Sequence, residues 1–380
     1  MIGRFCSAIW LMCRRGPLGL LLGAAATGPL SAFSLLTYNV SGNGTTDWST
    51  NAPQVQAIGR QLLYWQPDIV TFQEIPFTNT YQMANWVKAF LPGHSLATNS
   101  GTDGFLRSVI ASRFPIVRSQ KWLDGASLTN FGYDGNFTRD LFEAEIDVPD
   151  YADHLHIFTT HLKALSDSAS AARRAAEAGA ISNFFVAVFL PANGQRPYAL
   201  TGDLNEDINR PPSTSRQPIE RLVNTNTGLY LTTPVNPING DDRTISIRAT
   251  LDARFDYILP GGLLFSNIAT SQVFRTDLLS PTPPSLLPFD DKTASDHLPV
   301  LMVFNNPYAA PFRLRSVSLS EGTLSFSWET TPGSHYDVET STDFRSWTGV
   351  ATNLGATGPT FTWTTKAAEP MGFFRVHRLP

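Results

Sequence analysis

The chain has 380 residues, 42% of them hydrophobic, and a formal net charge of −4. That length supports one large domain or two ordinary ones with a sizeable core. No long run of Lys and Arg occurs, which argues against strong non-specific binding to a nucleic-acid backbone but leaves cleavage at a small site open.

Residues 1–32 read as a secretory signal. Arg14-Arg15 precede an apolar stretch from Leu18 to Ala26, and Ser31-Ala32 supply small residues at a cleavage site. Gly and Pro interrupt the stretch and leave it short for a span of about 20 apolar residues. Both cysteines, Cys6 and Cys13, fall in this segment, as do Arg4, Arg14 and Arg15. Without it, 25 basic residues face 32 acidic ones, and no disulfide, thiolate ligand or cysteine nucleophile is available. A secreted or periplasmic location is expected.

From Phe33 to about Pro307, apolar runs of strand length alternate with helical patterns. Phe33 to Val40 is the first strand. Gln54 to Trp65 places Val55, Ile58, Leu62 and Leu63 at helical spacing, and Pro67 ends it. Asp68 to Ile75 is a second strand, Thr80 to Leu91 a helix, and Val109–Ser112, Leu141–Val148 and Leu155–Thr160 further strands. Asp167 to Phe189 is the best helix, with Ser166 or Asp167 as its cap and Pro191 as its stop. Strands at Tyr198–Thr201, Ala253–Leu259 and Leu298–Phe304 complete an α/β domain whose sheet is covered on both faces. A Pro-rich surface loop, Ser280 to Pro288, precedes the last strand.

Composition shifts after Asn305-Asn306-Pro307. From Phe312 onward helix signals stop and strict alternation begins, as in Leu324-Ser325-Phe326-Ser327-Trp328, which predicts a small all-β sandwich. Its six basic and six acidic residues balance, so the negative charge sits on the α/β part. The expected organisation is a signal at 1–32, an α/β domain at 33–307 and a β module at 312–380.

Five polar words stand at the ends of apolar runs: Thr37-Tyr38-Asn39, Phe72-Gln73-Glu74, Thr160-His161-Leu162, Gly202-Asp203-Leu204-Asn205 and Ser295-Asp296-His297. One would mean little, but five in series are hard to explain as packing. A carboxylate at a strand end, as at Glu74, offers hard oxygen to Mg²⁺. Asp203 and Asn205, two apart on an extended segment, project to one side, and Gly202 permits close backbone approach. Asn39 suits a metal, an active-site carboxylate or a phosphate oxygen.

Taken together and in this order, the words resemble the endonuclease/exonuclease/phosphatase superfamily, which has the DNase I-like fold, over about Phe33 to Phe304. The resemblance implies a four-layered α/β sandwich and a metal-assisted phosphoesterase. It assigns Glu74, Asp296 and Asn39 to the metal, Mg²⁺ or Mn²⁺. Asp203 positions or activates water, Asn205 orients phosphate, and Asp256 pairs with His297 as the general base. His161 matches a second histidine that contacts the scissile phosphate. The nucleases place an acidic partner for it shortly after the metal glutamate, whereas Ile75 to Tyr81 contains no carboxylate; phosphate hydrogen bonding suits His161 better than general-acid chemistry.

Other polar residues have plainer readings. Glu206 and Asp207 read as solvated loop acids, His154 and His156 as surface or supporting residues, and Arg107, Arg113 and Arg139 as strand-end salt-bridge residues. Lys163 reads equally as a contact to an anionic substrate and as none. The substrate is expected to be a phosphodiester of nucleic acid, a lipid head group or another small organophosphate. A catalytically silent binding protein of the same fold is the alternative of another class. The β module resembles fibronectin-like domains of secreted bacterial proteins; it is expected either to contact a surface or glycan or only to space or stabilise the enzyme, and a monomer is expected.

Overall fold

The computed structural model describes residues 32–99, 103–149, 151–194, 196–210, 217–245, 251–308, 314–330, 332–342, 346–366 and 373–378. The expected signal, up to Ser31, lies outside them. Chain contacts separate an α/β unit, Phe33–Val148 with Asp153–Asn305, from a second unit that includes Asn306–Pro380.

In chain order the α/β unit contains β1 (Ala32–Asn39), α1 (Pro53–Trp65), β2 (Ile69–Pro76), α2 (Met83–Phe90), β3 (Ser95–Thr98), β4 (Leu106–Ser112), β5 (Ile116–Trp122), β6 (Leu141–Ile146), β7 (Leu155–His161) and α3 (Ser168–Phe184). It continues with α4 (Leu190–Asn193), β8 (Tyr198–Asp203), α5 (Pro218–Leu222), β9 (Asp256–Pro260), α6 (Gly262–Phe265), β10 (Ile268–Val273), α7 (Asp290–Ala294) and β11 (Val300–Asn305). The strands form two sheets, ordered β10-β11-β1-β2-β4-β3 and β5-β6-β7-β8-β9. This is the DNase I-like four-layered α/β sandwich, with helices on the outer face of each sheet.

Alternation along the strands builds the layers. Leu36, Tyr38, Val70 and Phe72 point outward into a core with α1 and α2. Phe158, Leu200, Tyr257 and Leu259 point outward into a second core with α3. Their neighbours face the opposite sheet, and the two sheets touch through polar pairs: Thr71 Oγ1 and Thr201 Oγ1 at 2.8 Å, and Gln73 Nε2 to Thr159 Oγ1 at 2.9 Å.

Polarity rises along that inner layer. Leu35 pairs with Ile69, then Thr37 with Thr71, then Asn39 with Gln73. Across β7 and β8, Ile157 pairs with Ala199, Thr159 with Thr201 and His161 with Asp203. Asp203 in turn pairs with Asp256 at the start of β9. The filling between the sheets is thus apolar at one end, threonine in the middle and ionisable at the other.

The helices follow local signals. Pro53 opens α1, and Gln66 closes it in a left-handed conformation. Asp167 caps α3, its side chain accepting from the Ser170 N–H at 3.0 Å. Pro191 does not stop this helix. The helix runs on through a wide turn at Phe185–Phe189 into α4, which holds Pro191 in its first turn. Strands β3, β5 and β10 carry no apolar run and escape sequence reading; each lies at a sheet edge, where half-exposed residues suffice.

The second unit pairs strands Leu314–Ser320, Thr323–Glu329 and Thr360–Lys366 in one sheet, and Thr348–Gly355, His335–Ser341 and Phe373–Arg378 in another. Leu324, Phe326, Trp328, Tyr336, Val338 and Val376 fill the core between them, giving a small all-β sandwich.

Candidate active site

The polar end of the inner layer gathers residues far apart in the chain. Asn39 is fully buried, and its side-chain N–H groups donate to Glu74 Oε1 at 3.1 Å and Asp203 Oδ2 at 2.9 Å. The same nitrogen lies 3.4 Å from His297 Nε2. Its oxygen accepts from the Ser41 N–H at 2.9 Å. Asn39 therefore cross-links the two carboxylates, with its oxygen held by the Ser41 N–H.

Glu74 reaches the site through a break in the β2–β4 register between Phe72 and Ile75, with φ of 59°. Asn205 is also left-handed, at 50°. Such backbone costs of order 1 kcal/mol or more in a non-glycine residue and collects where side chains must be aimed. At Gly202, with φ of 135°, a Cβ would lie 1.9 Å from the Thr160 carbonyl oxygen. Only glycine lets β8 run this close to β7 and bring Asp203 beside His161.

His297 and Asp256 form a buried ion pair, Nδ1 to Oδ2 at 2.8 Å. Thr244 donates to the same carboxylate oxygen at 2.6 Å and accepts from the Phe255 and Asp256 N–H groups. Ser295 donates to the Asn39 carbonyl at 2.7 Å and accepts from the His297 N–H at 3.0 Å, which seats the histidine on β1. Burial by itself disfavours the imidazolium, but Asp256 first, then Asp203, outweigh it and raise the His297 pKa. Asp203, 3.6 Å from His297 Nε2, is raised chiefly by its own burial.

His161 has the opposite character. Burial, then the positive charges of Arg139, His297 and Lys163, hold its pKa well below the ordinary value. Its Nε2 is 3.4 Å from Asp203 Oδ2 and 3.9 Å from Glu74 Oε1, yet neither ring nitrogen makes a hydrogen bond among the described residues. A neutral, buried, unsatisfied imidazole is costly unless something else meets it.

Donor atoms of Glu74, His161 and Asp203 all lie within 4.8 Å of one another. Two carboxylates, an idle imidazole and a surplus of negative charge fit a divalent cation. Asp296 stands apart from that group: it is half-buried and adds its charge to those acting on His297. Asn205 folds back, its N–H donating to Asp203 Oδ1 at 2.8 Å and its side chain to the Leu162 carbonyl at 3.2 Å.

Several surrounding residues depart from their sequence readings. Glu206 and Asp207 are buried, not solvated; Arg174 on α3 meets Glu206 Oε2 at 3.1 Å. His156 is fully buried against Glu143 at 2.7 Å, whereas His154 is at the surface. Arg139 pairs with Asp103 at 3.2 Å and donates to the His161 and Leu162 carbonyls, and Arg113 pairs with Asp68. Arg107 forms no ion pair among the described residues and stacks over Phe77 at 4.1 Å. Thr244 carried no sequence signal: an irregular segment delivers it through the bridge between Ile245 and Ala253.

Residues 36–297 match the family described as "Endonuclease/Exonuclease/phosphatase family". Among solved structures, an endonuclease/exonuclease/phosphatase from Beutenbergia cavernae DSM 12333 is 16% identical with a TM-score of 0.51, covering 92% of this chain and 100% of that one. A family protein from Bacteroides thetaiotaomicron is 18% identical with a TM-score of 0.49, covering 72% and 98%. D. rerio TDP2 complexed with single strand DNA product is 15% identical with a TM-score of 0.48, covering 72% and 99%. At these identities the likeness is one of fold. No curated protein sequence matches the chain.

Proposed function

This chain belongs to the endonuclease/exonuclease/phosphatase family and is a hydrolase acting on ester bonds; from that premise we propose a secreted, Mg²⁺-dependent phosphodiesterase in which His297 is the general base. The carrying observation is the chain of contacts Thr244–Asp256–His297 ending beside Asp203. Asp256 accepts from Nδ1, which fixes the tautomer and leaves Nε2 as the atom that takes a proton from water. Asp203 and Asn39 flank that nitrogen and orient the attacking water. His161, neutral and unsatisfied, donates to a phosphoryl oxygen.

Glu74 and Asp203 would hold Mg²⁺, which supplies Lewis-acid stabilisation of phosphoryl charge and offsets the carboxylates that keep His297 protonated. A diester is favoured over a monoester because the family resemblance includes both histidines, His161 and His297. Secretion rests on the composition of residues 1–32.

The test is turnover of purified protein with Mg²⁺ or Mn²⁺, against an EDTA control. The panel is plasmid DNA, RNA, sphingomyelin, inositol phosphates and bis(p-nitrophenyl) phosphate. Metal-dependent release from a diester is expected. No turnover of any substrate, or turnover indifferent to EDTA, rejects the reading.

A further inference from the structure

Helix α3 grips the backbone of one residue from both sides. Glu177, fully buried, accepts from the Lys163 N–H at 2.8 Å through one carboxylate oxygen and from the Thr138 N–H at 2.8 Å through the other. Arg174, also buried, donates to the Lys163 and Leu165 carbonyls at 2.8 Å each and is itself held by Glu206 at 3.1 Å. Charged groups placed inside a fold to meet backbone atoms are costly unless fully paired. Here they fix one short segment just past His161.

The segment past β7 is anchored on its other side too. The Leu162 N–H donates to the Asp203 carbonyl at 3.0 Å, continuing the β7–β8 ladder. Leu162 itself is buried in the core beneath α3. Lys163 follows it just beyond the end of β7, two residues from His161. Lys163 is half-buried and forms no ion pair among the described residues, although acidic residues outnumber basic ones in the chain. Its charge is felt at His161.

We propose that Lys163 is a substrate-binding residue that holds an anionic phosphoryl oxygen beside His161, and that Arg174 and Glu177 are positioning residues acting through its backbone. This rests on the phosphoesterase reading above. An ammonium held at fixed reach binds phosphate as a point charge, and α3 removes the backbone freedom that would otherwise weaken the contact.

The experiment reads phosphate binding rather than turnover. Inorganic phosphate is titrated calorimetrically into the Mg²⁺-equilibrated protein. Lys163→Gln, on a half-exposed side chain, is expected to keep its unfolding temperature and bind about tenfold more weakly, and Lys163→Arg to recover most of the loss. Glu177→Gln leaves one acceptor oxygen for two backbone N–H groups, Lys163 and Thr138; it should give a similar loss, with no further loss in the double variant with Lys163→Gln. Undetectable phosphate binding by the wild type, or equal affinity in wild type and Lys163→Gln, overturns the assignment of Lys163. Additive losses in the double variant overturn the role of α3. Failure to hydrolyse any diester would reject the proposed function separately, because this binding is read without catalysis.

Discussion

Asp256 and His297, 41 residues apart, meet with Oδ2 and Nδ1 2.8 Å from each other, and no solvent reaches the carboxylate. The pairing sets both the tautomer of the histidine and its appetite for protons. Asp256→Asn removes the charge and keeps the shape. It should lower kcat by about 10²- to 10⁴-fold. Asp256 raises the His297 pKa, so its loss should also move the rising limb of the pH–rate profile to lower pH. A limb that stays in place would show that another group is being titrated.

Thr244 holds that carboxylate without touching substrate. Thr244→Val keeps its volume but removes the donor to Asp256 and the acceptor for two backbone N–H groups. A roughly tenfold fall in kcat is expected with KM little changed. Thr244→Ser should restore it. Failure of the serine to rescue would place the threonine's contribution in its methyl group.

Glu74 is the one exposed-side member of the group that fits a cation. Glu74→Gln should weaken Mg²⁺ and Mn²⁺ binding at least about tenfold. Equilibrium titration of the metal reads this directly, and unchanged affinity would remove Glu74 from the ligand set.

Asp140 offers a test of stability away from the chemistry. It is 1% exposed, and burial, reinforced by Asp124 and opposed by Lys121, Arg107 and Arg139, raises its pKa from 3.8 to about 7. The folded state then keeps a proton that the unfolded chain releases between these values. Its contribution therefore worsens as pH rises from about 4 to 7, by at most about 4 kcal/mol. Asp140→Asn retains an acceptor for the Asn99 side chain, now at 2.5 Å. The variant should melt higher than wild type at pH 8 and show a flatter profile from pH 4 to 7, by calorimetry. An unchanged profile would mean that Asp140 is already ionised at low pH.

Much of the site was legible because strand alternation brings it forward. Asn39, His161 and Asp203 end apolar strands on the inner face, so local order along the chain carries their placement. Asp256 begins β9 without a polar word of its own, and only the resemblance draws it into the set. Glu206 was misread because its neighbours are polar and its partner, Arg174, is 32 residues away on α3. Thr244 lies in a segment without periodicity, and only tertiary pairing puts it behind Asp256. The orientation of Asn39 depends on which groups surround it, which no single strand specifies. The three unrecognised strands are edges, and an edge needs no continuous apolar run.

The central claim is that His297 takes the proton from water in a metal-dependent hydrolysis. The most direct measurement is the rate on bis(p-nitrophenyl) phosphate with Mg²⁺ at saturating substrate, wild type against His297→Ala. A fall of about 10²-fold or more with the fold intact is predicted. A variant that retains the wild-type rate would contradict the account.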